Sequence, residues 1–197
     1  MINRKVFKET FGQPFPERVQ IRIPNAKQVL QTGLNVVLDN RALWLPEYER
    51  VAEWLTDNHG KGLLLAGNCG RGKTVLACRV LPIIINRYCR LITNVYDADD
   101  LNTKDEAKRA EILAKHLICV DDVGTEDTLN AFGTRIDMFS RLADRTEKEG
   151  KLLLVTTNLS DNELIARYKQ RTFDRLLGTT KKIIFNGESL RTAQTGK

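Results

Sequence analysis

The chain contains no apolar run of the ~18 residues that a helix needs to cross a bilayer. Its start, Met1-Ile-Asn-Arg-Lys-Val-Phe-Lys8, lacks the apolar stretch of a secretory leader. Both absences argue against a membrane partner and lead us to expect a cytoplasmic protein. Histidine is scarce, at two residues, and the four cysteines (Cys69, Cys78, Cys89 and Cys119) form no CxxC pair. A zinc centre and a disulfide framework are therefore not expected, and the thiols should be reduced. No internal repeat or low-complexity tract is present.

What is present is the balance of an ordinary globular protein, with 28% charged and 42% hydrophobic residues. A chain of 197 residues with this balance can bury a full-sized core as one domain with a short appendage. The net charge of +6 is spread unevenly. Residues 164–197 hold eight Lys/Arg and two acids, so the remainder is neutral. This basic section is expected to face nucleic acid, another anion or a neighbour's nucleotide; a solvated basic surface is the alternative.

The chain is organised around residues 62–74, Gly-Leu-Leu-Leu-Ala-Gly-Asn-Cys-Gly-Arg-Gly-Lys-Thr. Leu63, Leu64 and Leu65 read as a buried strand. Gly67, four spacers, Gly72, Lys73 and Thr74 then fit the P-loop pattern. Glycines let the backbone turn its N–H groups inward on phosphate oxygens. Lys73 supplies charge to the outer phosphates, and the Thr74 hydroxyl suits Mg²⁺. The following helix aims its positive end at the same anion. The residues expected around a nucleotide are Gly67, Asn68, Cys69, Gly70, Arg71, Gly72, Lys73, Thr74 and Val75.

Residues 1–45 show short apolar pieces without a clear period and are read as an N-terminal arm; residues 46–197 are read as the main domain. Pro46 opens a helix that Asn58-His59-Gly60 closes. The helix from 73 contains Pro82, which should kink it. Arg90 to Val95 reads as a second strand. Residues 97–115 read as a short charged helix. Leu117 to Val120 is a third strand, and 128–149 a helix with Phe132, Ile136, Phe139 and Ala143 on one face. Leu152 to Thr157 is a fourth strand. Ser160 and Glu163 form a capping box, and Ile183 to Phe185 is a fifth strand. Strands alternating with helices predict an α/β fold: a five-stranded parallel sheet with helices on both faces.

Ligands of such sheets sit at the strands' carboxyl ends. There the third strand delivers Asp121 and Asp122, after four apolar residues. One carboxylate should hold Mg²⁺ and its neighbour should orient or deprotonate an attacking water. The fourth strand delivers Asn158, which can hydrogen-bond that water or the γ-phosphate.

The ordered set resembles the DnaC/IstB group of AAA+ (ASCE) ATPases, which includes helicase loaders and transposition helpers. The set is the P-loop, then Leu-Ile-Cys-Val-Asp-Asp-Val-Gly-Thr-Glu126, Thr-Thr-Asn-Leu-Ser160, Arg-Thr-Phe-Asp-Arg-Leu-Leu177 and Gly-Glu-Ser-Leu-Arg191. The likeness covers roughly residues 60–191. It implies an ATPase with ATP and Mg²⁺ as cofactors, Thr74 and Asp121 at the metal, and Lys73, Asp122, Asn158 and Arg175 as catalytic groups. Asp122 stands where the family usually has glutamate, so slow hydrolysis is expected. Arg175 matches an arginine finger that acts on a neighbour's nucleotide, with Arg171 one turn earlier as a second candidate. Arg191 matches a sensor-2-like arginine. The implied partners are further copies of the chain through the Arg171/Arg175 face, single-stranded DNA and a replicative helicase. The chain ends soon after Arg191, so no separate helical lid is expected. The rival readings are a transposition helper on duplex DNA and a small-molecule P-loop kinase.

Overall fold

The computed structural model describes residues 16–126 and 137–190, with the backbone of residues 130–131 and 134–135. Five strands form one sheet: β1 (Gly62–Gly67), β2 (Asn94–Asp97), β3 (Leu117–Asp121), β4 (Leu152–Thr157) and β5 (Thr180–Phe185). All neighbours are parallel, in the order β2-β3-β4-β1-β5. The expected α/β architecture is what forms.

Alternation along the three central strands, β1, β3 and β4, feeds two cores. Leu63 and Leu65 pack into one, with helices α1 (Ala26–Val37) and α2 (Pro46–Thr56) and the helix that follows the P-loop. Leu64 packs into the other, with helices from 98 onwards. Burial on both faces is why these three strands read as unbroken apolar runs, whereas the edge strands β2 and β5 keep exposed positions.

Helix α1 went unrecognised in the sequence. Its buried stripe, Ala26, Leu30 and Leu34, has clean four-residue spacing. The stripe is blurred by Val29, Val36 and Val37, which lie off it. The stretch before α1 is pinned by Asn58, whose side chain accepts from the Ile21 N–H at 2.9 Å and donates to the Val19 carbonyl at 3.1 Å.

Pro82 is accommodated differently from a simple kink. Lys73–Val75 (α3) runs into a π-helical turn, Leu76–Val80, and then into α4 (Leu81–Cys89). The wider turn ends where Pro82 has no N–H to donate. Arg90 then takes a left-handed conformation, so β2 starts at Asn94 rather than Arg90.

The region 97–115 forms two helices, α5 (Ala98–Thr103) and α6 (Glu106–Ala114), not one. Asp105 interrupts them, its side chain capping α6 by accepting from Lys108 N–H at 2.8 Å. Likewise α7 (Met138–Glu149) begins ten residues later than the pattern suggested. Asp137 caps it, accepting from Ser140 N–H at 3.0 Å. Upstream, residues 130–131 pair antiparallel with 134–135. Phe132 and Ile136 lie outside the described residues. Ser160 and Glu163 form the expected box at the start of α8 (Asp161–Thr179), which is interrupted by Lys169 at φ 72°. Among the described residues, no helix is long and apolar enough to cross a membrane.

Candidate nucleotide site

In register, Ala66 of β1 lies beside Thr157 of β4, and Val155 of β4 beside Val120 of β3. The carboxyl ends of these three strands therefore open onto one place. The loop after β1 turns through positive φ at Gly67 (119°), Gly70 (73°) and Gly72 (83°). At Gly67 an added Cβ would lie 2.3 Å from the Phe185 carbonyl oxygen, so only glycine fits there.

Lys73 is buried, and its Nζ donates to Gly67 O at 2.8 Å, Asn68 O at 2.7 Å and Asn158 Oδ1 at 2.8 Å. One ammonium thus ties the loop to the residue after β4. Burial pulls its pKa below the ordinary lysine value, while Cys69, Asp122 and Asp121 act in the opposite direction.

Thr156 holds the acidic pair. Its hydroxyl donates to Asp121 Oδ1 at 2.5 Å and accepts from the Asp122 N–H at 2.9 Å. Nothing in the strand pattern distinguished Thr156 from its neighbours. Asp122 sits at φ 51°, the left-handed region. Aspartate and asparagine enter that region more readily than longer side chains. This supplies a physical reason for the short acid at a position where glutamate is usual in the resembling family.

Glu126 fixes the loop that carries both acids. It is buried, accepts from the Gly124 N–H at 2.7 Å, is bonded by the Tyr168 hydroxyl, and lies 3.7 Å from Arg167. Burial, then the Glu126 bond, pushes the Tyr168 pKa up, so the hydroxyl stays protonated as a donor.

Lys73, Asp122 and Asn158 border a cavity of about 310 Å³, lined also by the rest of residues 69–75 and by Arg41. Its apolar side comes from Leu38, Leu43, Tyr48 and Leu190. Three of these lie between 38 and 48, where sequence reading found no site residue. Burial raises the Tyr48 pKa to about 12, against a smaller opposing pull from Arg71.

Residues 186–190 strap the loop from outside. Asn68 Nδ2 donates to Gly187 O at 3.0 Å, and Arg71 to Glu188 O at 3.2 Å. Leu190 N–H donates to Gly70 O at 2.9 Å. Glu47 lies 3.3 Å from Arg71 and accepts from Asn186 N–H at 3.1 Å. The side chains of Asn68 and Arg71 therefore brace the loop.

Among the described residues, most cations of the basic C-terminal section are paired with acids. Arg175 is bonded by Asp144 and lies 2.8 Å from Glu147, leaving it 18% exposed. Lys181 reaches Glu53 at 3.1 Å, Lys182 is paired with Asp161, and Arg167 with Glu126. The acids come from distant parts of the chain, which a local charge count cannot register. Arg171, 3.9 Å from Asp144, remains 76% exposed. Neither Arg171 nor Arg175 lines the cavity. Arg191 lies outside the described residues.

These pairings carry a prediction for DNA binding. If Lys181 and Lys182 both met phosphate, removing them would flatten the slope of log affinity against log salt by about 1.8 on duplex or 1.4 on single strands. With both engaged by carboxylates, the double alanine variant is expected to keep the wild-type slope, measured by fluorescence anisotropy on labelled oligonucleotides. A flattened slope would put these lysines on the DNA.

No protein-family model and no curated protein matches the chain. Solved structures do. A DnaC helicase loader superposes with a TM-score of 0.62 at 19% identity, over 79% of this chain and 99% of that one. DnaI gives 0.62 at 17% identity, over 83% and 92%. AMPPCP-bound DnaA from Aquifex aeolicus gives 0.58 at 19% identity, over 80% and 52%. With its parallel sheet, its P-loop and these three likenesses, the chain has the α/β fold of the DnaC helicase loader, DnaI and DnaA.

Proposed function

We propose that this chain is a cytoplasmic, ATP-binding and ATP-hydrolysing AAA+ protein of DNA replication. It assembles with copies of itself, binds single-stranded DNA and acts on a replicative helicase. The observation that carries the ATPase reading is the convergence of Lys73, Asn158 and Asp122 at one cavity, with Asp121 tied to Asp122 through the Thr156 hydroxyl. The likeness in fold to a helicase loader supports the setting.

In this reading the loop N–H groups and Lys73 bind phosphate oxygens, with Lys73 exchanging carbonyl partners for phosphate. Leu38, Leu43, Tyr48 and Leu190 take the base. Asp122 orients the attacking water or accepts its proton, and Asn158 hydrogen-bonds the water or the γ-phosphate. A hydroxyl at Thr74 and a carboxylate at Asp121 are hard oxygen donors, few in number, which suits Mg²⁺. When bound, Mg²⁺ would neutralise charge on the outer phosphates. Arg175, with Arg171 beside it, serves the nucleotide of the neighbouring copy.

Asp121→Asn tests the metal assignment. Nucleotide affinity in the wild type should rise on adding Mg²⁺, and in the variant that gain should largely vanish. A full Mg²⁺ gain in the variant would remove Asp121 from the metal site.

A further inference from the structure

Helices α1 and α4 pack side by side, and the seam between them is open along its length. At Gly33 the helices meet so closely that a Cβ would lie 3.0 Å from Ile84 Cδ1. With no side chain there, a trough of about 470 Å³ remains above Val29, Gly33 and Ile84. Three exposed apolar side chains line it, Val36 at 70%, Ile83 at 57% and Tyr88 at 48%, with the polar Asn25, Gln28 and Thr32 along its α1 edge. Apolar residues scattered singly over a surface need no explanation, but these three line one trough.

Among the described residues, the one charged side chain that lines it is positive. Arg87 lines the trough, and Arg79 and Arg90 are exposed on the same helical run. Unlike the C-terminal cations, these three make no ion pair among the described residues. The sequence contains no Asp or Glu between Asp57 and Asp97, or between Glu17 and Asp39. The elements that build the seam thus bring no carboxylate of their own; the one acid paired to α1 is Glu49, held by Lys27.

We propose that this seam docks an amphipathic helix of a partner protein, aliphatic along its inner stripe and lined with Asp and Glu on its flanks. A helix with leucines on one face removes the surface of Val36 and Ile83 from water, while Gln28 and Thr32 at the α1 edge face its polar flank. Arg79, Arg87 and Arg90 then meet acidic flanks, giving orientation and a fast encounter. Helix α1, with 12 residues, is about 18 Å long, so about three turns of a partner helix fit beside it, with anchors at i, i+3 or i+4, and i+7.

The probe is a fluorescein-labelled peptide of about four helical turns, with leucine at the anchor positions and glutamate on both flanks. Its control carries lysine at every flanking glutamate. Anisotropy titrations with the full chain should show the glutamate peptide binding about tenfold or more tightly than the control. Ile83→Asp should weaken the glutamate peptide by about tenfold or more, and Arg87→Glu should narrow the gap between the peptides. Both positions are exposed, and unchanged thermal melting will show that the variants fold. On binding, hydrogen exchange should slow in residues 26–37 and 81–89. Equal affinity for the two peptides, or an Ile83→Asp variant that binds as wild type does, overturns the proposal. So does a single-stranded oligothymidylate that displaces the peptide and depends on Arg87 but not on Ile83, which would give the face to nucleic acid.

Discussion

Arg175→Ala is expected to bind ATP as the wild type does and to hydrolyse it about a thousandfold more slowly. The site already holds Lys73 for ground-state phosphates. Of the two arginines of the same copy that line the cavity, Arg71 is engaged by Glu47 and the Glu188 carbonyl and Arg41 lies 3.7 Å from Asp39, whereas Arg171 and Arg175 do not line it and are placed to serve a neighbouring copy in the proposed reading. Arg175 is held at the surface by Asp144 and Glu147, both partly exposed. Losing such surface pairs costs about 1 kcal/mol or less, far too little to explain a thousandfold loss through unfolding. Mixing separates the two roles. A Lys73→Ala copy still offers Arg175, and an Arg175→Ala copy still holds ATP. Partial recovery of hydrolysis in the mixture, absent from either variant alone, is the expected result. No recovery, with co-assembly shown by cross-linking, would confine Arg175 to bracing α7 against α8. Arg171→Ala, run in parallel, shows whether the more exposed arginine shares the task.

Asp122→Asn should lower single-turnover hydrolysis by about 10²–10⁴ with affinity unchanged, the usual loss when a positioned base is removed. Asparagine suits this test because it tolerates the φ of 51° at that position and leaves the Asp122 N–H bond to Thr156 intact. Alanine or glutamate would confound lost chemistry with backbone strain. A wild-type rate in the asparagine variant would assign the water to another group.

The site was legible where chemistry follows from a strand end. Lys73, Asp121, Asp122 and Asn158 each sit at or just past the carboxyl end of an apolar run, and a parallel sheet gathers such ends without further instruction. What escaped notice depends on partners far away in the chain. Thr156 is one more strand residue until Asp121 and Asp122 are seen to share its hydroxyl. Leu38, Leu43 and Tyr48 gain meaning once α1 and α2 pack beside the P-loop. The strap of residues 186–190 is visible only through its bonds to Asn68, Gly70 and Arg71. The surplus of positive charge after residue 164 was real in sequence and much reduced in space, because Glu53, Glu126, Asp144 and Asp161 lie opposite it. Helix starts at 106 and 138 were set by the Asp105 and Asp137 caps, which outweighed the apolar period.

The most direct measurement is a calorimetric titration of ATP with Mg²⁺ into the wild type and into Lys73→Ala. Lys73 is the one side chain that joins both loop carbonyls to Asn158. Each charge-assisted bond it makes to phosphate is worth about 1.5–3 kcal/mol. The wild type should bind one nucleotide per chain, and Lys73→Ala should bind about a hundredfold more weakly or not measurably, with its circular dichroism spectrum unchanged. Equal affinity in the two proteins would contradict the nucleotide site itself.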